Sequence, residues 1–246
     1  MNSFVPIAIP SVLLISAMGI LSRISSNHAI SRELKRKALH ISVGLTALSF
    51  PLFLKVPWMI IAALGLAVSW FLAVRRIPVL QRHFGSVLHE VSRTSRGEIY
   101  FALSVGGLLL LTQNAPIFFV IPILILALAD AFAAIVGEAI PIGPLDGIAK
   151  GKTAAGCAAF LVVAFLVSFG ALVFLADLQT LHALMVAAGL AVTTCVAEAI
   201  SRRGIDNLVV PGMAYLVLLV SNIPDDAGQV SIVKLHHELG TLMAGL

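Results

Sequence analysis

Charge is what this chain has least of. Asp, Glu, Lys and Arg together make up 11% of its 246 residues, where a soluble domain is about one quarter charged. There are two cysteines, Cys157 and Cys195. Both lie in apolar segments, so they carry no disulfide framework and no information on redox compartment. A formal net charge of +4 is too small to point to nucleic acid as a partner. There is no low-complexity linker, no internal repeat and no soluble domain. No Arg/Ser-rich transit segment or small-residue cleavage site precedes the first apolar run, so no organelle address is expected. Ser/His/Asp, Cys/His zinc and dinucleotide-binding patterns are missing as well.

What the chain has instead is hydrophobic length. Apolar residues make up 59% of it, and runs of about twenty are long enough to cross a bilayer. Eight such runs are expected, near 4–21, 38–54, 57–74, 99–112, 116–137, 157–176, 181–200 and 208–223. The expected fold is all-α, a polytopic membrane helix bundle forming one domain, because isolated spans must satisfy their backbone groups internally. Residues 231–246 place Ile232, Leu235, Leu239 and Leu242 on one face, the pattern of an interfacial helix.

The few charges are distributed unevenly. Of the 16 Lys and Arg residues, all but Lys55 and Lys234 fall in the loops after runs one, three, five and seven. The positive-inside rule puts those loops in the cytoplasm and both termini outside.

Polar residues inside or beside the runs gather at that same side. "RKALHISVG" sets Arg36, Lys37, His40 and Gly44 on roughly one helical face. Glu98 opens the fourth run, where a carboxylate also favours the helix dipole. In "LALADAFAAIVGE" a carboxylate, Asp130, stands inside a bilayer-length run at a cost of roughly 2.5–3.5 kcal/mol on insertion scales. Ala134 and Gly137 follow on its face, small enough for a partner helix or a ligand to come close. Asp130 lies about 10 Å below the level of Gly137 at ~1.5 Å per residue. The loop "GPLDGIAKGKTAAG" offers Lys150, Lys152 and Thr153 ahead of a helix N-terminus, the ingredients of a phosphate site. The strict P-loop spacing is absent. "AEAISRRGIDNLVVP" places Glu198 inside run seven, with Asp206 and Asn207 as capping candidates for run eight.

Hard oxygen donors beside lysines suit Mg²⁺ bridging phosphates, and a site at the lipid boundary suits a substrate with an apolar tail and a polar head. On residues alone the expectation is metal-assisted phosphate chemistry on a lipid at the cytoplasmic face. A transporter, with carboxylates that couple ions, is the reading from another class; the interrupted, paired halves that would favour it are not visible.

Five segments in order, "RKALH" (36–40), "SRGEIYF" (95–101), "ADAFAAIVGE" (129–138), "KTAAGCAAF" (152–160) and "EAISRRGIDNLVVP" (198–211), give the chain a resemblance to the polyprenol kinase family. That family includes dolichol kinases, phytol kinases and CTP-dependent diacylglycerol kinases, with phosphatidate cytidylyltransferases as more distant relatives. The resemblance covers about residues 36–211. It implies transfer of the γ-phosphoryl of a nucleotide, typically CTP, to the hydroxyl of an isoprenoid alcohol, with a lipid alcohol and a nucleotide triphosphate as partners. Asp130 and the Lys152–Thr153–Gly156 stretch then belong to the nucleotide-binding region. Two positions depart from the family pattern: Ala129 stands where Gly is frequent, and Cys157 where Ser is frequent.

The expected roles follow. Asp130 and Glu198, with Asp206, hold Mg²⁺, and that nucleotide-bound ion is the expected compensation for burying Asp130, with neighbouring lysines as the alternative. Lys152, Lys37 and Arg36 neutralise the phosphates; Thr153, Gly156 and Gly137 line them; His40 or Glu98 takes the alcohol proton. A cytidylyltransferase would attack the α-phosphate instead, but its characteristic runs are missing. The compact chain leans towards a prokaryotic cytoplasmic membrane.

Overall fold

The computed structural model describes residues 6–9, 12–13, 16, 32–80, 96–112, 115–145 and 151–223. The expected first run lies mostly outside them, as do the expected interfacial helix at 231–246 and Lys150. Among the described residues the regular structure is helix alone, apart from one isolated bridge between Pro144 and Thr153.

The helices are α1 (Arg32–Ala47), the single turn α2 (Phe50–Phe53), α3 (Pro57–Arg76), α4 (Gly97–Leu111), α5 (Ile117–Leu124), a π-helical segment (Ile125–Ala129), α6 (Asp130–Ala139), α7 (Ala154–Phe174), α8 (Thr180–Ile200) and α9 (Asp206–Val220). Helix α5, the π segment and α6 form one continuous rod, Ile117–Ala139. Among the described residues four helices are long and apolar enough to cross a membrane: α3, that rod, α7 and α8. Twenty residues at ~1.5 Å rise span about the 30 Å of a hydrocarbon core. The shorter apolar helices α4 and α9 would reach only about 22 Å at that rise.

The rod is the centre of the bundle. Of its most apolar window 61% is buried, against 17% for α3. Phe118, Phe119, Ile121, Ile123, Ile125 and Leu126 are all enclosed, and α1, α7 and α9 pack around them. Helix α3 touches chiefly α4 and leaves Trp58, Ile61, Leu66 and Leu72 exposed, the surface a lipid-facing helix needs.

The rod is not uniform. Pro122 sits inside α5, where it removes one ladder hydrogen bond. Three residues later the turn widens into the π segment, which runs up to Asp130. Such widened turns recur at functional sites. Here α1 lies directly across it: a Cβ on Gly44 would come within 2.4 Å of the Ala127 Cβ. Only glycine permits that crossing, and the crossing brings the polar start of α1 to the Asp130 level of the rod.

Candidate functional site

One face of helix α1 meets the rod at this crossing. Gly44 meets Ala127, His40 meets Leu126 and Lys37 meets Asp130. The i, i+3, i+7 spacing of 37, 40 and 44 is what makes one face of them. Arg36 falls off that face and is exposed.

Lys37 Nζ donates to Asp130 Oδ2 at 2.6 Å. The two residues are 5% and 6% exposed, so neither charge has water to neutralise it. The pair therefore supplies the compensation that Asp130 requires. Lysine was the alternative compensation offered by the sequence beside a nucleotide-bound metal. The physical reason for the pairing is the α1 crossing, which a single helix pattern does not reveal.

His40 Nε2 lies 2.9 Å from the Leu126 carbonyl oxygen and 3.4 Å from Asp130 Oδ2. Both partners only accept, so Nε2 carries a proton and a neutral ring keeps its lone pair on Nδ1. Phe101 of α4 packs edge-on against the ring, with centroids 5.9 Å apart.

A second pair joins α7 to α8. Lys152, just before α7, donates to the carboxylate of Glu198, near the end of α8. The same ammonium donates to the Glu198 carbonyl oxygen at 2.8 Å, so it also caps the negative end of α8. Glu198 is 4% exposed. The two pairs share one electrostatic neighbourhood: Asp130 feels Lys152, Glu198 feels Asp130 and Asp206, and His40 feels Asp206. The structure thus brings Lys37, His40, Asp130, Lys152, Glu198 and Asp206 to one end of the bundle. Asp206 opens α9, where its carboxylate accepts from the Asn207 N–H at 3.1 Å. Asn207 ties that helix to α4 by donating to the Gly97 carbonyl at 3.1 Å.

Glu98 has a different partner. Arg75 Nε and Nη2 both donate to Glu98 Oε1, at 2.8 and 2.5 Å. This fork joins the end of α3 to the start of α4 and engages the carboxylate expected to be an alternative base.

The loop before α7 also closes on itself. The Ala154 N–H donates to Gly143 O at 2.8 Å, the Ala155 N–H to Ile142 O at 3.4 Å and the Gly156 N–H to Thr153 Oγ1 at 3.0 Å. Leu145 N–H reaches back to Lys152 O at 2.9 Å. Gly143 turns with φ of +66°, a conformation that favours glycine. The N–H groups that would cradle a phosphate at this helix start are therefore already bonded, and Thr153 acts as its N-cap.

Gly137 and Gly156 serve packing. A Cβ on Gly156 would lie 2.8 Å from the Ala133 carbonyl oxygen, and one on Gly137 would lie 2.9 Å from Thr153 Oγ1. The space on the Asp130 face is filled by α7 at that level. The two cysteines, which sequence reasoning left without a role, meet between α7 and α8: Cys195 Sγ donates to the Cys157 carbonyl at 3.5 Å.

Among the described residues no three His, Cys, Asp or Glu side chains converge to form a metal cage. The donor set still suits Mg²⁺, which takes one or two carboxylates and completes its shell with phosphate oxygens and water. Asp130 and Glu198 are such carboxylates.

The chain is similar to the phytol kinase of Synechocystis sp., with 32% identity over 197 residues, covering 78% of this chain and 79% of that protein. It belongs to the polyprenol/phytol kinase-like family. Members of this kind are kinases, and this chain is accordingly a phosphotransferase with an alcohol acceptor. No family model and no solved structure matches it.

Proposed function

We propose that this kinase transfers the γ-phosphoryl group of CTP to the hydroxyl of an isoprenoid alcohol, phytol or a longer polyprenol. The observation that carries the reading is the similarity to a phytol kinase along most of the chain. The clustering of two lysine–carboxylate pairs and a histidine at one bundle end supplies chemistry that fits it.

In this reading the bundle has about eight spans, and its charged end faces the cytoplasm of a prokaryotic cell, with both termini on the other side. The membrane holds the alcohol's apolar tail and presents its hydroxyl at the Asp130 level. Lys37, Lys152 and Arg36 neutralise the triphosphate, since the α7 backbone N–H groups are already bonded. Asp130 and Glu198 would hold Mg²⁺, with Asp206 adding negative charge beside them. The ion's contribution is to neutralise charge on the transferring group. His40 accepts the alcohol proton at Nδ1, because Nε2 is engaged by the Leu126 carbonyl. The alcohol oxygen then bonds to the γ-phosphorus as the bond to the β–γ bridging oxygen breaks, and CDP departs. Positioning and charge neutralisation carry most of such a reaction.

The test is a substrate panel. Purified protein is incubated with CTP and with phytol, dolichol or diacylglycerol, and the lipid fraction is analysed by mass spectrometry. A monophosphate of phytol or dolichol is expected. A phosphorylated diacylglycerol with no isoprenoid product would replace the acceptor, and a CDP-lipid would replace the reaction.

A further inference from the structure

Both buried carboxylates of the site are already occupied, and each is occupied by a lysine from a different element. Lys37 Nζ sits 2.6 Å from Asp130 Oδ2, and Lys152 bonds the Glu198 carboxylate. A Mg²⁺ or Mn²⁺ ion held by these residues would lie about 2.0–2.2 Å from an oxygen of those same carboxylates. An ammonium on the same carboxylate would then stand a few ångströms from a divalent ion, with little water between them to screen the repulsion. Lys37 is 5% exposed and its partner 6%, so the cation's entry requires the ammonium to move away.

A buried ammonium leaves a carboxylate only if another anion receives it. A triphosphate is that anion. Its arrival without a metal would draw the lysines off and strand the carboxylates; the metal's arrival without a triphosphate would strand the lysines. Asp130 also feels Lys152, and Glu198 feels Asp130, so the two exchanges are coupled.

We propose that Lys37 and Lys152 are resting counterions that make divalent-cation binding conditional on the nucleotide. The exchange conserves charge: carboxylates pass from lysine to metal as lysines pass to phosphate. The inference rests on the proposed kinase reading of this site, and it adds an order to it. Cation and nucleotide bind as a unit, and the empty enzyme rejects the free ion.

The test uses Mn²⁺ as the probe and electron paramagnetic resonance to count bound ion, with detergent-purified full chain and no lipid acceptor. Wild type is titrated with Mn²⁺ alone and again with a non-hydrolysable CTP analogue. Expected is at least a tenfold tightening of Mn²⁺ binding by the analogue. The Lys37→Met variant is expected to bind Mn²⁺ without nucleotide and to gain thermal stability from it, whereas wild type gains none. The double variant Lys37→Met/Asp130→Asn is expected to lose that response. Equal Mn²⁺ affinity of wild type with and without the analogue overturns the inference, and this result needs no variant to fold. A folded Lys37→Met that gains no Mn²⁺ binding overturns it too. Failure of the kinase reading shows separately, as absence of lipid phosphate from wild type with CTP and alcohol. An active wild type that binds Mn²⁺ equally well alone rejects only the counterion exchange.

Discussion

Lys37 and Asp130 lie 93 positions apart in the chain, yet Lys37 Nζ ends 2.6 Å from Asp130 Oδ2 in the interior of the bundle. Removing one member leaves the other as an uncompensated buried charge, which typically costs about 3–5 kcal/mol. Lys37→Met and Asp130→Asn are each expected to destabilise the protein by that order. The double variant should recover more than half of the loss, because no charge is then stranded. Unfolding in detergent, followed for wild type, both single variants and the double, measures the coupling. Additive losses would show that the pair is not a structural unit.

The crossing of α1 over the π segment depends on one missing methyl group. Gly44→Ala places a Cβ 2.4 Å from the Ala127 Cβ, and overpacking of this kind costs about 1–3 kcal/mol. Separation of the helices would also pull His40 from the Leu126 carbonyl. Phosphoryl transfer is expected to fall by about tenfold or more, roughly the rate equivalent of 1.4 kcal/mol. The swap Gly44→Ala/Ala127→Gly returns the methyl to the other side and should restore most of the activity. Failure of the swap to restore anything would place the defect elsewhere.

Two glycines of α7 should respond in opposite ways. Gly156→Ala directs a Cβ to within 2.8 Å of the Ala133 backbone oxygen, which cannot move without shifting α6. Gly170→Ala meets nothing within 4 Å and relieves the helix-interior glycine penalty of roughly 0.5–1 kcal/mol. Melting temperatures in detergent should therefore fall for the first and hold or rise for the second.

His40 and Glu98 are the two expected proton acceptors, and their surroundings separate them. Glu98 is held by the Arg75 fork, whereas His40 faces Asp130. Glu98→Gln is expected to keep turnover within about threefold while lowering stability by about 1 kcal/mol, the scale of a partly exposed pair. His40→Ala should lower kcat by about 10²-fold or more, the usual contribution of a general base. The kinetics of the two variants, compared in one preparation, decide between them.

The helices themselves were legible because apolar runs need little context. Helix occupies the seven expected runs from 38–54 to 208–223, with shifts of up to six residues at the ends. The break at Leu48 and Ser49 between α1 and α2 was missed, since Ser49 in an apolar run carries no strong stop signal. The π segment was missed for a deeper reason. Its residues, Ile125–Ala129, are ordinary helix formers, and the widened turn comes with Pro122 and with the packing of Gly44.

The site was legible as a list of residues and not as a set of partners. Lys37, His40, Asp130, Lys152 and Glu198 stood out because charged groups in apolar runs are expensive. Nothing in local spacing says that Lys37 belongs to Asp130 and Lys152 to Glu198, since pairing is set by how helices cross. The Gly/Lys loop shows the same limit. Thr153 and Gly156 look like phosphate ligands from composition, but their groups close the α7 cap and the α6–α7 contact.

The central claim is γ-phosphoryl transfer from CTP to an isoprenoid hydroxyl, and one measurement tests it most directly. Wild-type protein in lipid vesicles is given phytol with CTP labelled either at the γ-phosphate or in the cytidine ring, and the lipid is extracted and counted. The account predicts γ-label in phytyl phosphate, no cytidine label in the lipid, and CDP in the aqueous phase. Cytidine label in the lipid, or no label in it from either nucleotide, would contradict it.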